Sequence, residues 1–228
     1  GDARKLLNIL DLLEASVPEG VIRITNDFVY ACLQQNPLAY DKDGEQHYDI
    51  ISAFIKSIRG SDPDAACHYL ARLLEVGQMQ SACRRLMVIA AEDVGLAFPQ
   101  IIPIVNAAVD MALKLGMPEA RIPLGDVAVL MATSPKSNTG HVALDTAMAD
   151  IKKGKAYDFP RHLQNMHADT YTMEREQGYL YPHDYPNPYV AQQYLPDDLT
   201  DRTYYTPAPN KTEQAAAAYW AAIKETGQ

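Results

Sequence analysis

Between Ala3 and about Lys153 the apolar residues recur three to four positions apart, and turn-forming residues fall where helices begin and end. Leu6, Leu7, Leu10 and Leu13 form one apolar stripe, closed by Val17-Pro18-Glu19-Gly20. Thr25 or Asn26 caps a short helix carrying Phe28, Val29 and Leu33. After the turn at Asp43-Gly44, the stretch from His47 to Arg59 repeats the pattern and stops at Gly60. Ser61-Asp62-Pro63-Asp64 then supplies a capping oxygen, a proline at the first helical position, where its missing N–H costs nothing, and acids at the positive helix end. A helix is predicted from there to Gly77. The same reasoning predicts helices over about 79–93, 99–115, 118–133 and 138–153, with Gly95, Gly116 and Gly154 as stops, and a last helix over about 212–225. Connections of a few residues make successive helices antiparallel neighbours, and the expected fold class is all-α.

Two shifts in the pattern divide the chain. The polar link from Asn36 to Glu45 separates a piece of two or three helices, residues 1–38, from a larger helical body, residues 39–228. The second shift lies within that body. Residues 155–211 hold nine of the 14 tyrosines and seven of the 15 prolines with few aliphatic residues, which is neither a bundle helix nor low-complexity sequence. This segment reads as an ordered, irregular arm whose tyrosine rings pack on the helical body while their hydroxyls stay hydrogen-bonded.

With 228 residues and 47% hydrophobic content, the chain can bury a sizeable core without disulfides. Cys32, Cys67 and Cys83 are odd in number, far apart and set inside apolar helical patterns, so they read as buried free thiols in a reducing cytoplasm. No run of 18 apolar residues is present and the start lacks a secretory signal, so neither export nor a membrane span is expected. The chain opens without methionine and directly on a helical pattern, which predicts a longer parent. A formal net charge of -9 disfavours nonspecific nucleic-acid binding, because backbone affinity comes from Lys and Arg displacing phosphate counterions.

Candidate chemistry is sparse. No GxxxxGKS or GxxxxGKT phosphate loop and no strand ending in paired acids is present, so this chain by itself cradles no triphosphate. His141, His162, His167 and His183 have no helical i,i+4 partner among themselves and no neighbouring cysteine, so no metal site is expected. A nucleophile at Cys67 with His183-Asp184 as base and orienter would make a small stand-alone enzyme, but no spacing joins them. Lys56, Arg72, Arg84 and Arg85 on neighbouring predicted helices offer a basic patch for DNA or a partner's acids, against the plainer reading of a solvated helix face. Glu92-Asp93 sits near a helix C-terminus, where the dipole disfavours anions, and Arg84 or Arg85 is the expected compensating cation. The predicted helices 99–115 and 122–133 are apolar around most of their circumference, which predicts burial against other copies of the chain.

Gly1-Asp2-Ala3-Arg4 opening a leucine-rich helix resembles the sensor-2 motif at the lid of AAA+ ATPases. Downstream, Tyr40-Asp41-Lys42-Asp43-Gly44, the stretch from Lys56 through Arg59-Gly60-Ser61-Asp62-Pro63-Asp64 to Ala66, and Ala91-Glu92-Asp93-Val94-Gly95-Leu96-Ala97 are more specific. With Ser134-Pro135-Lys136-Ser137-Asn138, the Gly178 to Pro186 stretch and Gln192-Gln193-Tyr194-Leu195-Pro196, they resemble the replication-associated recombination protein A family, also called MgsA. That family is related to the eukaryotic Werner-helicase-interacting protein. Phe98, Cys67-His68 and the alanine-rich run Ala215 to Ala218 depart from the family pattern.

The resemblance covers nearly the whole chain. It implies an AAA+ lid subdomain over residues 1–38 and a helical tetramerisation domain over residues 39–228, including the arm and the last helix. The parent would be a DNA-dependent ATPase acting in replication, recombination and repair at stalled forks or single-strand gaps. ATP and magnesium would be bound mainly by a core outside this chain, with Arg4 reaching the γ-phosphate. The chain itself would need no cofactor and would be catalytically inactive. Implied partners are further copies of the chain in a homotetramer, DNA through the full-length protein, and single-strand-binding and replication-fork proteins. A helical adaptor without an ATPase partner is the competing expectation, decided by whether a phosphate loop is encoded upstream of Gly1.

Overall fold

The computed structural model describes residues 10, 24–25, 45–154, 158–164 and 178–226. Apart from the single positions Leu10, Ile24 and Thr25, the elements expected before Glu45 lie outside the described residues, as do Arg4 and Cys32. The described chain is helical, and no strand occurs among its residues. Helix α1 spans Glu45–Arg59, α2 Pro63–Glu75 and α3 Met79–Ile89. The chain then passes through a π turn, Ala90–Val94, and a 3-10 turn, Gly95–Ala97. Next come α4 Ile101–Leu115, α5 Arg121–Thr133, α6 Thr139–Lys152 and, after the arm, α7 Lys211–Thr226.

The start and stop signals act as their chemistry requires. Asp62, with extended backbone, accepts a hydrogen bond from the Ala65 N–H at 2.9 Å, and Pro63 occupies the first turn of α2. The helix ends with Gly77 at φ 73, the Gln78 N–H bonding the Leu73 carbonyl at 2.8 Å and the Gly77 N–H bonding that of Leu74 at 2.9 Å. This paired closure needs a left-handed residue, and glycine supplies it without steric cost.

The chain divides into two units. The first comprises residues 1–85 and 111–132. Within it α1 and α2 pack against each other, with Phe54 and Ile58 of α1 and Leu70 and Leu73 of α2 buried. Helix α5 buries Leu124, Val127, Ala128 and Met131. Each fully buried Leu or Phe contributes about 1.5–3 kcal/mol, and Phe54→Ala would cost about 3–5 kcal/mol.

The second unit comprises residues 86–110 and 133–228. Its buried apolar residues include Leu86, Ile89, Val94, Ile101 and Val105. Among the described residues, the buried polar side chains Asp93, Ser134, Ser137, Asp150 and Glu213 all belong to this unit.

The two strongly apolar helices behave differently. Helix α5 is mostly buried, with Ile122 and Val129 exposed. Helix α4 buries Ile101, Val105, Ala108, Val109 and Ala112 yet leaves Ile102, Ile104, Met111, Leu113 and Leu115 exposed. The arm also differs from expectation. Tyr204 and Tyr205 are half-buried with hydrogen-bonded hydroxyls, whereas Tyr179, Tyr181, Tyr185 and Tyr194 are exposed. Of the thiols, Cys83 is buried, which raises its pKa, and Cys67 is half-buried; both are free.

Candidate functional site

The second unit brings together two of the motifs that carry the family resemblance. In the π turn the Gly95 N–H reaches back five residues to the Ala90 carbonyl. Such a turn inserts an extra residue into a helix, and π turns recur at functional sites. It buries Asp93 and aims the Asp93 carbonyl at the turn 134–138, where the Ser137 N–H donates to it at 2.7 Å. Gly95 follows with φ +44, and a Cβ there would stand 2.6 Å from the Ser137 carbonyl oxygen. The Ala91 to Ala97 and Ser134 to Asn138 motifs therefore lock backbone to backbone, and only glycine permits the approach.

Lys136 lies half-buried in the same turn and donates from Nζ to the Ser134 carbonyl at 2.6 Å. Burial lowers its pKa, and the facing Asp93 charge works in the opposite direction. Arg84 and Arg85, the cations expected to compensate Glu92-Asp93, stand exposed on α3; Lys136 is thus a cation that faces Asp93. The sequence pattern missed Lys136 because the two residues are brought together by tertiary contact and not by helical spacing.

Glu213, in the first turn of α7, completes the cluster at 2% exposure. Its Oε2 accepts from the Thr139 hydroxyl at 2.8 Å, the Tyr205 hydroxyl at 3.0 Å and the Ala208 N–H at 3.1 Å. Its Oε1 accepts from Asn210 Nδ2 at 2.8 Å. The Glu213 N–H in turn bonds Asn210 Oδ1 at 2.9 Å, a capping arrangement that starts α7. Burial alone would raise the Glu213 pKa; the donors at Ser137, Asn210, Ala208 and Thr139 overcome it and hold the carboxyl at about 2. The Asn210-x-x-Glu213 spacing was the available sequence signal for this residue. Beside it, Thr212 Oγ1 donates to the Ala97 carbonyl at 2.8 Å, tying α7 to the 3-10 turn.

A second buried carboxylate lies at the other end of α6. Asp150 accepts from Arg202 Nη2 at 2.8 Å and from the Tyr204 hydroxyl at 3.2 Å. Burial and the Asp150 charge raise the Tyr204 pKa. A fully bonded Glu213, ionised at neutral pH, is no proton donor there. What this arrangement does is fix the relative positions of two turns, α6, the end of the arm and α7.

The sequence-predicted basic residues lie in the first unit. Lys56 is exposed on α1 and Arg84 and Arg85 are exposed on α3. Arg72 on α2 is half-buried and lines a groove of about 240 Å³ with Asp49, Ile50, Ala53 and Tyr69; its Nε is buried without a hydrogen-bond partner. Lys56 and Arg72 sit on two helices that pack together, but Arg72 faces a groove that also holds a carboxylate. His141 pairs with Asp145 at 3.3 Å, His162 donates to the Gln193 carbonyl at 2.8 Å, and His183 lies against the Tyr181 ring. His167 lies outside the described residues. Cys67 belongs to the first unit and His183 to the second.

Comparison with known proteins settles the lineage. Residues 1–59 match the AAA C-terminal domain, and residues 60–224 match the C-terminal region of the MgsA AAA+ ATPases. The chain belongs to the MgsA AAA+ ATPase C-terminal family. Within that family it is 50% identical to the replication-associated recombination protein A of Bacillus subtilis over 211 residues, 91% of this chain and 50% of the relative. It is 39% identical to the Haemophilus influenzae protein of the same name, over 91% of this chain and 48% of the relative. ATPase WRNIP1 of Dictyostelium discoideum is 31% identical, over 90% of this chain and 26% of the relative. The chain thus spans about half the length of the bacterial relatives it matches. The MgsA C-terminal match includes both locked motifs, the Glu213 cluster and the Asp150 pair. Among the described residues no three His, Cys, Asp or Glu side chains group to hold a metal ion, and no helix is long and apolar enough to cross a membrane.

Proposed function

We propose that this chain is the lid and self-assembly region of a DNA-dependent AAA+ ATPase acting in replication, recombination and repair at stalled forks or single-strand gaps in the cytoplasm. The observation that carries the reading is the unbroken succession of two AAA+ C-terminal matches along residues 1–224. Residues 1–38 form the lid, and residues 39–228 the tetramerisation domain with its arm at 155–211. Arg4 supplies the lid's contact with nucleotide, a charge-assisted hydrogen bond from its guanidinium to the terminal phosphate. The nucleotide supplies the phosphate chemistry from a core outside this chain. The chain's own part is to sense and transmit: the 36–45 link passes lid rotation to the assembled domain.

Self-association is supported by α4. Ile104, Met111 and Leu115 recur at intervals of seven and four, so they share one face, and all three are exposed. An exposed apolar stripe on a helix marks a contact surface, and a second copy of the same chain covers it in a closed homotetramer. DNA, single-strand-binding protein and fork proteins engage the full-length protein, with Lys56, Arg72, Arg84 and Arg85 as the candidate contribution from this region. The decisive experiment measures DNA-stimulated ATP turnover of the full-length protein with and without residues 1–228. Undiminished stimulated turnover after their removal would reject the lid assignment.

A further inference from the structure

The two buried carboxylates Asp150 and Glu213 fasten one and the same stretch of the arm. Tyr204 and Arg202 bind Asp150 in the last turn of α6, while Tyr205, Ala208 and Asn210 bind Glu213, which also takes the hydroxyl of Thr139 at the start of α6. The non-helical segment 200–210 is therefore clasped at both ends of α6 and runs antiparallel to it. Thr139, Ala143, Ala147 and Asp150 fall on one face of α6 by helical spacing, and none of the four is exposed. On the opposite face Leu144, Met148 and Ile151 stand exposed.

The means of attachment is unusual for a helix end. A 16-residue helix ordinarily owes its stability to an apolar face packed on a core. Among the described residues of α7, Glu213 is the single buried one; Ala217 and Ile223 are half-buried, while Tyr219 and Trp220 are exposed, with Lys224 Nζ 3.7 Å from the Trp220 ring centre. The segment before it buries Leu199 and nothing from Thr200 to Asn210. In the first turn, polar contacts do much of what an apolar stripe normally would: four donors converge on the Glu213 carboxylate, and Thr212 Oγ1 donates to the Ala97 carbonyl.

We infer that residues 200–210 form a releasable strap: with both clasps closed it holds α7 in place, and opening the Glu213 clasp frees strap and α7 together while α6 and the locked motif turns stay folded. Such a segment is a local cooperative unit whose opening free energy lies below that of global unfolding. It gives the second unit a device by which the exposed Tyr219 and Trp220 face can be presented in a fixed place or let go.

Hydrogen exchange of the 228-residue chain at neutral pH tests it. In Glu213→Gln, amides of 211–226 should exchange about tenfold faster or more than in the unaltered chain, the loss expected when charge-assisted bonds to a buried carboxylate are removed. In both chains amides of 63–75, 101–115 and 141–149 should remain slower than those of 211–226, accelerating by no more than the loss of global stability allows. Tyr205→Phe, which deletes one hydroxyl and leaves the rest, should give a smaller acceleration confined to the same peptides, and keeps the test open if Glu213→Gln proves poorly folded. Trp220, the chain's single tryptophan, gives a second readout. Its anisotropy should fall in Glu213→Gln at urea concentrations where far-ultraviolet circular dichroism still reports a largely intact helix content. Exchange of 211–226 as slow as that of the core helices in the unaltered chain, coincident transitions by the two probes, or unchanged exchange in 211–226 on substitution would each overturn the strap.

Discussion

Acidification of Glu213 gives the sharpest energetic test. Its carboxyl has a pKa of about 2 in the folded chain against an ordinary 4.5, which corresponds to about 3 kcal/mol of stability at neutral pH. The structure makes that magnitude reasonable. Four donors reach the carboxylate, a hydrogen bond to a charged group contributes about 1.5–3 kcal/mol, and the bonds are not additive because the cost of burying the charge is set against them. Because the folded pKa is depressed, the unfolded chain takes up the proton first. The contribution is thus complete above about pH 5 and is lost as pH falls from about 4.5 towards 2. Other carboxylates titrate in the same range, so the comparison needed is with Glu213→Gln, which keeps the side-chain volume and removes the charge. Urea denaturation of both chains from neutral pH down to about pH 2 should show a gap of about 3 kcal/mol at pH 7 that narrows steadily below pH 4.5. A gap that stays constant over the whole range, or no gap at neutral pH, would refute the reasoning.

Gly95→Ala should destabilise the chain by about 2 kcal/mol or more, since it adds a Cβ 2.6 Å from a backbone oxygen at positive φ; an unchanged thermal midpoint would show that the two motif turns are not locked. Light scattering coupled to gel filtration should give a mass about four times the 25.2 kDa of the chain, and Met111→Lys with Leu115→Lys should shift it towards the monomer. A monomeric mass for the unaltered chain at micromolar concentration would rule out the α4 contact. In the full-length parent, Arg4→Ala should lower ATP turnover by about tenfold or more, whereas the isolated chain should hydrolyse no ATP above buffer; wild-type turnover in the variant would reduce Arg4 to a helix-start residue. The isolated chain, at net charge -9, should bind DNA weakly at physiological salt, and submicromolar binding with a steep salt dependence would make Lys56, Arg72, Arg84 and Arg85 a true DNA surface.

The helices were legible because their signals are local. Asp62-Pro63 at the start of α2 and Gly77 at its end decide backbone geometry within a few residues, and the expected boundaries from about His47 onward lie within a few positions of the observed ones. The family was legible through the motifs around Gly60, Gly95 and Ser134. What those motifs do was not, because each contact that explains them joins distant positions: Ser137 with Asp93, Thr139 with Glu213, Arg202 with Asp150. Apolar content also left α4 and α5 alike, although α4 exposes five large apolar side chains and α5 only Ile122 and Val129, since periodicity shows that a face is apolar and not what covers it. The arm was read as uniformly tyrosine-packed, yet Tyr204 and Tyr205 are held against buried carboxylates, while Tyr179 and Tyr181 are exposed.

The π turn at Ala90–Val94 also constrains how this protein can change length. A five-residue hydrogen-bonded turn is an α-helical turn with one residue added, so deleting any one residue there would let α3 continue as ordinary helix. Everything beyond would then rotate by about 100° about the helix axis and retreat by about 1.5 Å. The Asp93 carbonyl would swing away from the Ser137 N–H, and Gly95 from the oxygen it now nearly touches. Gains and losses of single residues should therefore be tolerated between Gly178 and Pro196, where the chain is irregular and mostly exposed, and rejected between Met79 and Ala97, where the helix acts as a phase gauge for everything that meets it.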